Sequence, residues 1–195
     1  IEKSKNNAHG TEQTIQIDYF DPLTDMHQIE GGVKYIMRCN VSDGDRDKNI
    51  WDETTEDWKQ TPLPVNDLDY TQHILGVYAG YVLKVKKWSG KVGARLESTW
   101  NDGRTTSYDV SETPQKTKFD NNFFNIVPYV TLSWQPRDMQ TFKLSYTQRL
   151  SRPGIWQLNP FKDSSTPMQL VYGNPNLESE ISHTFSLGYT LFTAK

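Results

Sequence analysis

The chain has 195 residues, with a net charge of -3 at pH 7 and a mean hydropathy of -0.73. This length allows one domain or at most two, and the negative charge argues against a nucleic-acid partner. Cys39 is the single cysteine, which excludes an internal disulfide, and no run approaches the roughly 18 apolar residues of a membrane-spanning helix.

Two segments near the start of the chain alternate between apolar and polar residues. Residues 12–20 and 27–39 each show the period of two that places apolar side chains on one face of a strand. Residues 21–25 (DPLTD) predict a tight turn between them, because proline fixes φ and aspartate bonds its own backbone. The polar residues 1–11 predict a loop before the first strand.

The middle of the chain repeats the pattern. Residues 70–86 and 91–100 alternate in the same way, and a turn is predicted between them over 87–90 (KWSG). The Asp-rich stretch 40–68 and the polar stretch 101–120 predict long loops on either side of this pair of strands.

The last third of the chain predicts three more strands. Residues 122–134, 141–150 and 181–191 alternate, with a short turn over 135–138 (QPRD) and a long irregular loop before the last strand. Pro128 lies inside the first of these strands. Because proline cannot donate to the strand ladder, we expect a local bulge there.

Short turns alternate with long loops along the whole chain. Transmembrane β-barrels have this rhythm, with short periplasmic turns and long extracellular loops, whereas soluble domains keep most connections short. The strand lengths also suit a tilted bilayer crossing, which takes about 9–11 residues. The sequence therefore predicts an all-β fold, an antiparallel up-and-down meander of about seven strands from a large transmembrane β-barrel.

The two faces of the predicted strands differ in chemistry. Charged residues keep to one parity, which we expect to face a wet lumen, and apolar residues keep to the other, which we expect to face lipid. Trp88 and Trp134 lie beside short turns and Trp100 beside a long loop, as in interfacial aromatic girdles. The charged residues of the lumenal parity are Lys34, Arg38, Lys84, Arg95, Glu97, Lys143 and Arg149.

About seven strands are too few to close a barrel. Single-chain bacterial barrels use an even number of strands from about 8 upward, and an open sheet edge is not stable in lipid. Residues 1–5 are followed by no apolar run, so no signal peptide is expected. We therefore expect the chain to be part of a larger barrel. A soluble antiparallel sheet packed on its own core is the alternative, because alternation alone does not distinguish the two.

Several motifs of the chain resemble one known family, the TonB-dependent outer-membrane receptors of the Bacteroidetes type, in the C-terminal portion of their barrel. The motifs are 145–153 (SYTQRLSRP), 156–161 (WQLNPF), 173–177 (GNPNL) and 183–189 (HTFSLGY), with weaker matches at 31–36 (GGVKYI) and 93–97 (GARLE). The resemblance spans nearly the whole chain.

The resemblance implies a barrel of about 22 strands with a plugged lumen. It implies a place in the Gram-negative outer membrane, with long loops extracellular, and nutrient uptake energised through TonB. The implied partners are outer-membrane lipid, the remainder of the barrel with its plug domain, the TonB complex and a surface lipoprotein. Residues 1–195 would be a fragment of the outer-membrane β-barrel domain, without a plug domain or signal peptide.

Three acidic residues are a candidate metal site. Asp43, Asp45 and Asp47 lie two residues apart in a predicted loop, where their carboxylates could converge on a hard cation such as Ca²⁺. An EF-hand loop has glycine at its sixth position, and Lys48 stands there instead. A solvated acidic loop is therefore the alternative.

Six residues are candidate ligand contacts. Trp51 and Trp58 bracket several acidic residues and could stack on a sugar, with plain loop packing as the alternative. The others could contact a substrate or the plug at the mouth of the barrel, although turn geometry also explains their Arg-Pro-Gly and Asn-Pro motifs. These four are Arg149, Arg152, Trp156 and Asn159.

No catalytic or cofactor motif is apparent. The four histidines have no ligand spacing, and the sequence has no nucleophile–base pattern, phosphate loop or zinc motif. We expect no enzyme activity and no cofactor. The alternative function is a soluble β-sandwich binding module directed at carbohydrate, suggested by the low hydropathy and the aromatic loops. For an importer, siderophore, glycan and peptide all remain open as ligands.

Overall fold

The computed structural model describes residues 2–62, 65–108, 114–162 and 168–192, which form eight strands and one short helix. The strands are β1 (Glu2–Asp21), β2 (His27–Asp52), β3 (Asp57–Pro62), β4 (Val65–Val85), β5 (Trp88–Tyr108), β6 (Gln115–Arg137), β7 (Gln140–Ser151) and β8 (Glu180–Leu191). The helix, α1 (Ile155–Leu158), lies between β7 and β8. Across these described ranges, no helix has the length and apolar character needed to cross a membrane.

All the strands belong to one antiparallel sheet. Seven follow the order β1-β2-β4-β5-β6-β7-β8, and β3 pairs with the far end of β2. β3 and β4 pair with the same edge of β2, β3 with its C-terminal part and β4 with its N-terminal part. The predicted all-β meander of about seven strands is confirmed. Over the described residues, β1 and β8 each have a single partner, and the sheet does not close.

The strands run well beyond the segments that apolar alternation predicted. Most of the loops predicted over 1–11, 40–68 and 101–120 are strand, so those predictions were wrong. Residues 63–64 and 109–113 of these stretches lie outside the described residues. The extensions have polar side chains on both faces, so no apolar face marks them, and the paired backbone satisfies its own hydrogen bonds.

The turn between β4 and β5 is tighter than predicted. Lys86 and Lys87 alone reverse the chain, with Lys86 at φ 50°, in the left-handed region that two-residue hairpins use. The turn predicted over 87–90 is therefore misplaced, because Trp88 already pairs with Val85.

Pro128 lies where β7 separates from β6. The β5–β6 register passes through Ala94 opposite Pro128 without a shift, so the predicted bulge there is wrong. On the other edge of β6, pairing with β7 begins only at Tyr129, and the ladder is irregular between Trp134 and Arg137. A residue without an N–H thus lies at the end of a ladder. We call the gap between β7 and the part of β6 before Tyr129 the seam.

The register joins apolar residues of neighbouring strands into continuous rows on one face. One such row crosses from β1 to β6 and consists of Ile17, Val33, Val77, Leu96 and Ile126. Even its least exposed member, Val77, is 42% exposed. Within the described part of the chain, no second sheet packs on this face. We call this face the outer belt. Its exposure suits hydrocarbon as the surrounding medium and does not fit the soluble β-sandwich.

Aromatic rings mark both ends of the outer belt. Near the short turns, Trp88, Trp134, Phe142 and Tyr189 lie side by side across β5 to β8, with ring centroids 5.5, 5.5 and 4.7 Å apart. Trp100 lies at the other end, twelve residues along β5 from Trp88. At about 3.3 Å per residue and a tilt of about 40°, that distance spans roughly 30 Å, the hydrocarbon thickness of a bilayer.

The opposite face, which we call the inner face, is polar and hydrogen-bonded. Tyr129 Oη donates to Glu30 Oε1 at 2.9 Å, and Lys91 Nζ pairs with the same oxygen at 2.6 Å. Gly80 and Gly93 leave room for this tyrosine, because a Cβ at either position would collide with its hydroxyl group. The register places the charged residues of the predicted lumenal parity on this face.

Candidate functional site

The connection between β7 and β8 folds over the inner face of the sheet. We call its residues 152–178 the inner loop, of which 163–167 lie outside the described residues. The loop contacts β4, β5 and β6 near the end of the sheet opposite the short turns. Three sets of contacts hold it there.

Arg152 anchors the start of the inner loop. Its guanidinium forms an ion pair with Glu97, whose side chain is only 7% exposed, and its Nε donates to Thr99 Oγ1 at 3.2 Å. Arg95 pairs with the same carboxylate. Burial lowers the pKa of Arg152, as do the nearby positive charges of Arg95 and Arg38. A guanidinium nevertheless stays charged in proteins, so the carboxylate keeps its partner.

The helix α1 docks through one apolar residue. Leu158 is completely buried and packs with Leu68, Tyr70 and Phe119 of the sheet. Gly103 leaves room for the Phe119 ring, because a Cβ at residue 103 would overlap it. A helix of four residues is not stable alone, so this burial, which contributes about 1.5–3 kcal/mol per side chain, holds it in place.

Backbone hydrogen bonds close the inner loop on itself. Gly173 N donates to Asn159 O at 2.8 Å, and Asn174 N donates to Gln157 O at 2.7 Å. The side chain of Asn159 also accepts, through Oδ1, from Phe161 N at 3.0 Å. A Cβ on Gly173 would lie 2.5 Å from Gln157 O, so the two parts of the loop approach this closely only because residue 173 is glycine.

Asn121 of β6 holds the far end of the inner loop. Its Nδ2 donates to the carbonyl oxygens of Pro175 at 2.6 Å and Leu177 at 2.8 Å. β6 has no β7 partner at this level, so these two bonds connect the loop to β6 along the seam.

A row of buried polar side chains lies next to the docked helix. Tyr70 Oη and Gln72 Nε2 both donate to Asn101 Oδ1 at 2.8 Å, and Arg38 Nη1 donates to Gln72 Oε1 at 3.2 Å. Tyr70 lies beyond Trp100 along the sheet, outside the outer belt. Burial raises the pKa of Tyr70 to about 12, so its hydroxyl stays protonated and remains a donor.

A cavity of about 340 Å³ lies between the inner loop and the far ends of β1, β2 and β4. We call it the inner cavity. On the loop side it is lined by Trp156 and Tyr172, which are 69% and 63% exposed. On the strand side, Asn6, Ser42 and Asn66 present amide and hydroxyl groups from the inner face. The arrangement offers aromatic surface opposite hydrogen-bonding groups.

The structure brings two of the six predicted ligand contacts to this cavity. Trp156 and Asn159 line it, the first largely exposed and the second buried. Arg152 is engaged with Glu97, and Arg149 lies exposed on β7. The ligand-binding role of all four stays a prediction.

Trp51 and Trp58 meet at the tip of the β2–β3 hairpin, away from the inner cavity. Their rings form a T-shaped pair with centroids 5.5 Å apart, and both are about half exposed. Asp52 pairs with Lys59 and accepts from Thr54 N at 2.9 Å. The hydrogen bond from Lys59, followed by that from the Thr54 backbone, lowers the pKa of Asp52. The pair therefore packs within its own hairpin, and its contact with a sugar stays a prediction.

The acidic residues of the candidate metal site lie in a strand and not in a loop. Asp43, Asp45 and Asp47 follow one another along one side of β2, opposite residues of β1. Alternate residues of a strand lie about 6.6 Å apart, so the backbone does not curve the carboxylates toward a common point. Among the described residues, no three His, Cys, Asp or Glu side chains are grouped to hold a metal ion. The calcium site stays a prediction, although these residues lie in a strand and not in the loop that suggested it.

The strand side of the inner cavity was missed in the sequence. Asn6, Ser42 and Asn66 lie in stretches predicted to be loop, and only the sheet register brings them together. Glu97 was recognised as a charged lumenal residue, but its partner Arg152 lies in another part of the chain. Tyr172 had a usable signal, since an aromatic residue directly precedes the GNPNL motif.

Comparison with known proteins gives a structural likeness and a family. The siderophore receptor PirA from Pseudomonas aeruginosa matches with 13% identity and a TM-score of 0.34, covering 95% of this chain and 50% of the receptor. This chain thus spans half the length of that receptor. No curated protein sequence matches the chain. The family model described as the outer membrane protein beta-barrel family matches residues 1–195. The match covers the full length, and the chain therefore belongs to the outer membrane protein β-barrel family and is a protein of the cell outer membrane.

Proposed function

We propose that the chain is a segment of the barrel wall of a TonB-dependent receptor that takes up a nutrient across the outer membrane. The observation that carries the proposal is the inner loop, which folds onto the lumenal side of the sheet and frames a cavity there. Ligand sites are typically concave and partly apolar with a few convergent polar groups, as this cavity is. The motifs within residues 145–189 support the same function. The proposal assigns binding and passage to this segment and no catalytic step.

Each proposed partner would contact a different surface of the segment. The outer belt would contact outer-membrane lipid, and the edges of β1 and β8 would pair with further strands of the same barrel, because open edges are unstable in lipid. The charged inner face would contact a plug domain that binds the TonB complex. A surface lipoprotein is the further proposed partner at the end that carries the inner loop.

The barrel part of the proposal is tested with the full-length parent protein refolded in detergent. A closed barrel stays folded in gel sample buffer and migrates differently after boiling, and we expect this heat-modifiable migration. Identical migration before and after boiling, in a preparation with β-rich circular dichroism, would count against a closed barrel.

The receptor part is tested by binding of the purified periplasmic domain of TonB to the same refolded parent. We expect specific binding that is lost when the plug domain is removed from the parent. If the barrel is heat-modifiable but does not bind TonB, the receptor proposal fails and the barrel assignment stands.

A further inference from the structure

The inner loop presents largely exposed aromatic side chains to the inner cavity. Trp156 and Tyr172 each leave well over half of their surface uncovered, and Phe161 lies beside them. Exposed aromatic side chains grouped at a cavity mark binding sites, because covering their rings releases apolar surface from water. A ligand with an apolar face would be held by these side chains.

Asparagine side chains around the cavity offer hydrogen-bond donors. Three asparagines line the cavity, and each uses its side-chain oxygen as an acceptor within the protein. The three bonds are Ser42 Oγ to Asn6 Oδ1 at 2.8 Å, Thr105 Oγ1 to Asn66 Oδ1, and Phe161 N to Asn159 Oδ1 at 3.0 Å. No hydrogen bond found among the described residues uses an Nδ2 group of these three asparagines. Each Nδ2 carries two donors, so these side chains suit a ligand rich in oxygen acceptors.

The charges around the cavity do not favour a strongly ionised ligand. Lys5 and Arg46 are accompanied by Asp45, and Arg46 already interacts with other groups of the protein. Polyanions such as phosphates or carboxylate-rich chelates are bound by clustered arginines in bidentate geometry. The remaining polar lining consists of neutral amides and hydroxyls, which favours a neutral ligand.

We infer that the inner cavity binds a sugar unit of a neutral oligosaccharide. A pyranose ring has a face of C–H groups, which covers an exposed aromatic ring, and a rim of hydroxyl oxygens, which accept from asparagine Nδ2 groups. The volume of about 340 Å³ lies at the small end of the range of about 300–1,000 Å³ for ligand sites, as expected for a short stretch of a longer glycan. This inference names the ligand class of the proposed receptor and rests on that function.

The test titrates the full-length parent in detergent with maltoheptaose, cellohexaose, xylohexaose and mannohexaose, using isothermal titration calorimetry. We expect at least one of these neutral glycans to bind, and the Trp156→Ala variant to bind it at least about tenfold more weakly. Asn6→Ala should weaken the same glycan by about threefold to tenfold, the range of one hydrogen bond. Trp88→Phe, at the opposite end of the outer belt, is the matched control and should keep full affinity.

Each variant is first checked for heat-modifiable migration, so that lost binding is not confused with lost folding. Two further probes, a neutral tetrapeptide and a ferric tris-catecholate chelate, cover the other ligand classes. Absence of glycan binding by the folded parent, or equal binding by Trp156→Ala, overturns the inference. Binding of only the peptide or the chelate also overturns it and leaves the receptor proposal intact. Glycan binding without TonB binding counts against the receptor proposal alone.

Discussion

Arg152 carries a charge into a half-buried position, where Glu97 and Thr99 replace the water that it loses. The Arg152→Met variant keeps a long side chain but leaves Glu97 with Arg95 as its partner. We expect docking of the inner loop to weaken by about 2 kcal/mol, less than the 3–5 kcal/mol of a fully broken buried pair, because Arg95 remains. Limited proteolysis of the inner loop in the refolded parent measures the change.

Arg149→Met provides the matched control for this variant. Arg149 is exposed on β7, three residues before Arg152, and substitutions at such surface positions usually change stability by less than about 0.5 kcal/mol. Equal cleavage rates for the two variants would show that Arg152 does not anchor the loop.

Asp52 makes the hairpin tip sensitive to acid. Its folded-state pKa is lowered from the ordinary 3.8, mainly by Lys59, so its contribution is complete above that value and is lost as the pH falls through the lower folded value. We therefore expect the Trp51–Trp58 contact to loosen only below about pH 4. Tryptophan fluorescence of the refolded parent, compared with Asp52→Asn, follows this contact. An acid response that is unchanged in the variant would assign the effect to other carboxylates.

At the scale of the elements, the inner loop depends on one glycine. In Gly173→Ala, the new Cβ would lie 2.5 Å from Gln157 O and 2.6 Å from Asn159 O, both fixed backbone atoms. We expect a loss of about 1–3 kcal/mol from this overpacking. Hydrogen exchange at the Asn174 amide, which bonds to Gln157 O, should accelerate accordingly.

Gly154→Ala is the control within the same loop. Its Cβ would meet the Gln157 side chain at 3.7 Å, an ordinary contact with a flexible group. We expect exchange at Asn174 to stay within about twofold of the wild type. If exchange at Asn174 accelerates as much as in Gly173→Ala, the acceleration does not come from the close contacts of a Cβ at residue 173.

The elements differ in how far the sequence predicts them. Residues 70–86 and 122–134 were recognised because one face is apolar; β4 contains the first segment except for Lys86, and β6 contains the second. The extension of β2 to Asp52 has no apolar face. Its strand pairing depends on backbone hydrogen bonds, which leave no pattern in the order of the side chains. The position of Pro128 was misread because the sequence does not reveal which edge of β6 lacks a partner.

At the scale of the whole molecule, the outer belt predicts different outcomes for two adjacent residues. Ile126 is 53% exposed on the belt, and Asn125 faces inward beside Glu97. We expect Ile126→Arg to cost about 2–4 kcal/mol, because the charge enters hydrocarbon near the middle of the bilayer. Asn125→Arg should cost less, because its side chain lies on the polar inner face and does not enter hydrocarbon.

Refolding of the parent into lipid vesicles, followed by heat-modifiable migration against urea concentration, measures both variants. The midpoint should fall strongly for Ile126→Arg and little for Asn125→Arg. Equal shifts would contradict the assignment of the two faces.

The two faces were predictable because hydrocarbon and water select residues with a period of two that is visible in one sequence. The candidate site was only half predictable. Trp156 and Asn159 stand in a recognisable loop motif, whereas Asn6 and Asn66 reach the cavity through a register that depends on every strand between them.

The seam has a consequence for the barrier that the membrane provides. Where β6 lacks β7, the inner loop lies against the inner face of the sheet, held by two bonds from Asn121 to Pro175 and Leu177. Asn121→Ala should free the loop from the sheet and widen the passage through the lumen, and cells producing that parent should become sensitive to vancomycin, which an intact outer membrane keeps out. Asn122→Ala, exposed on the other face, should leave the cells resistant. The same loop that shapes the site would then also restrict passage through the lumen.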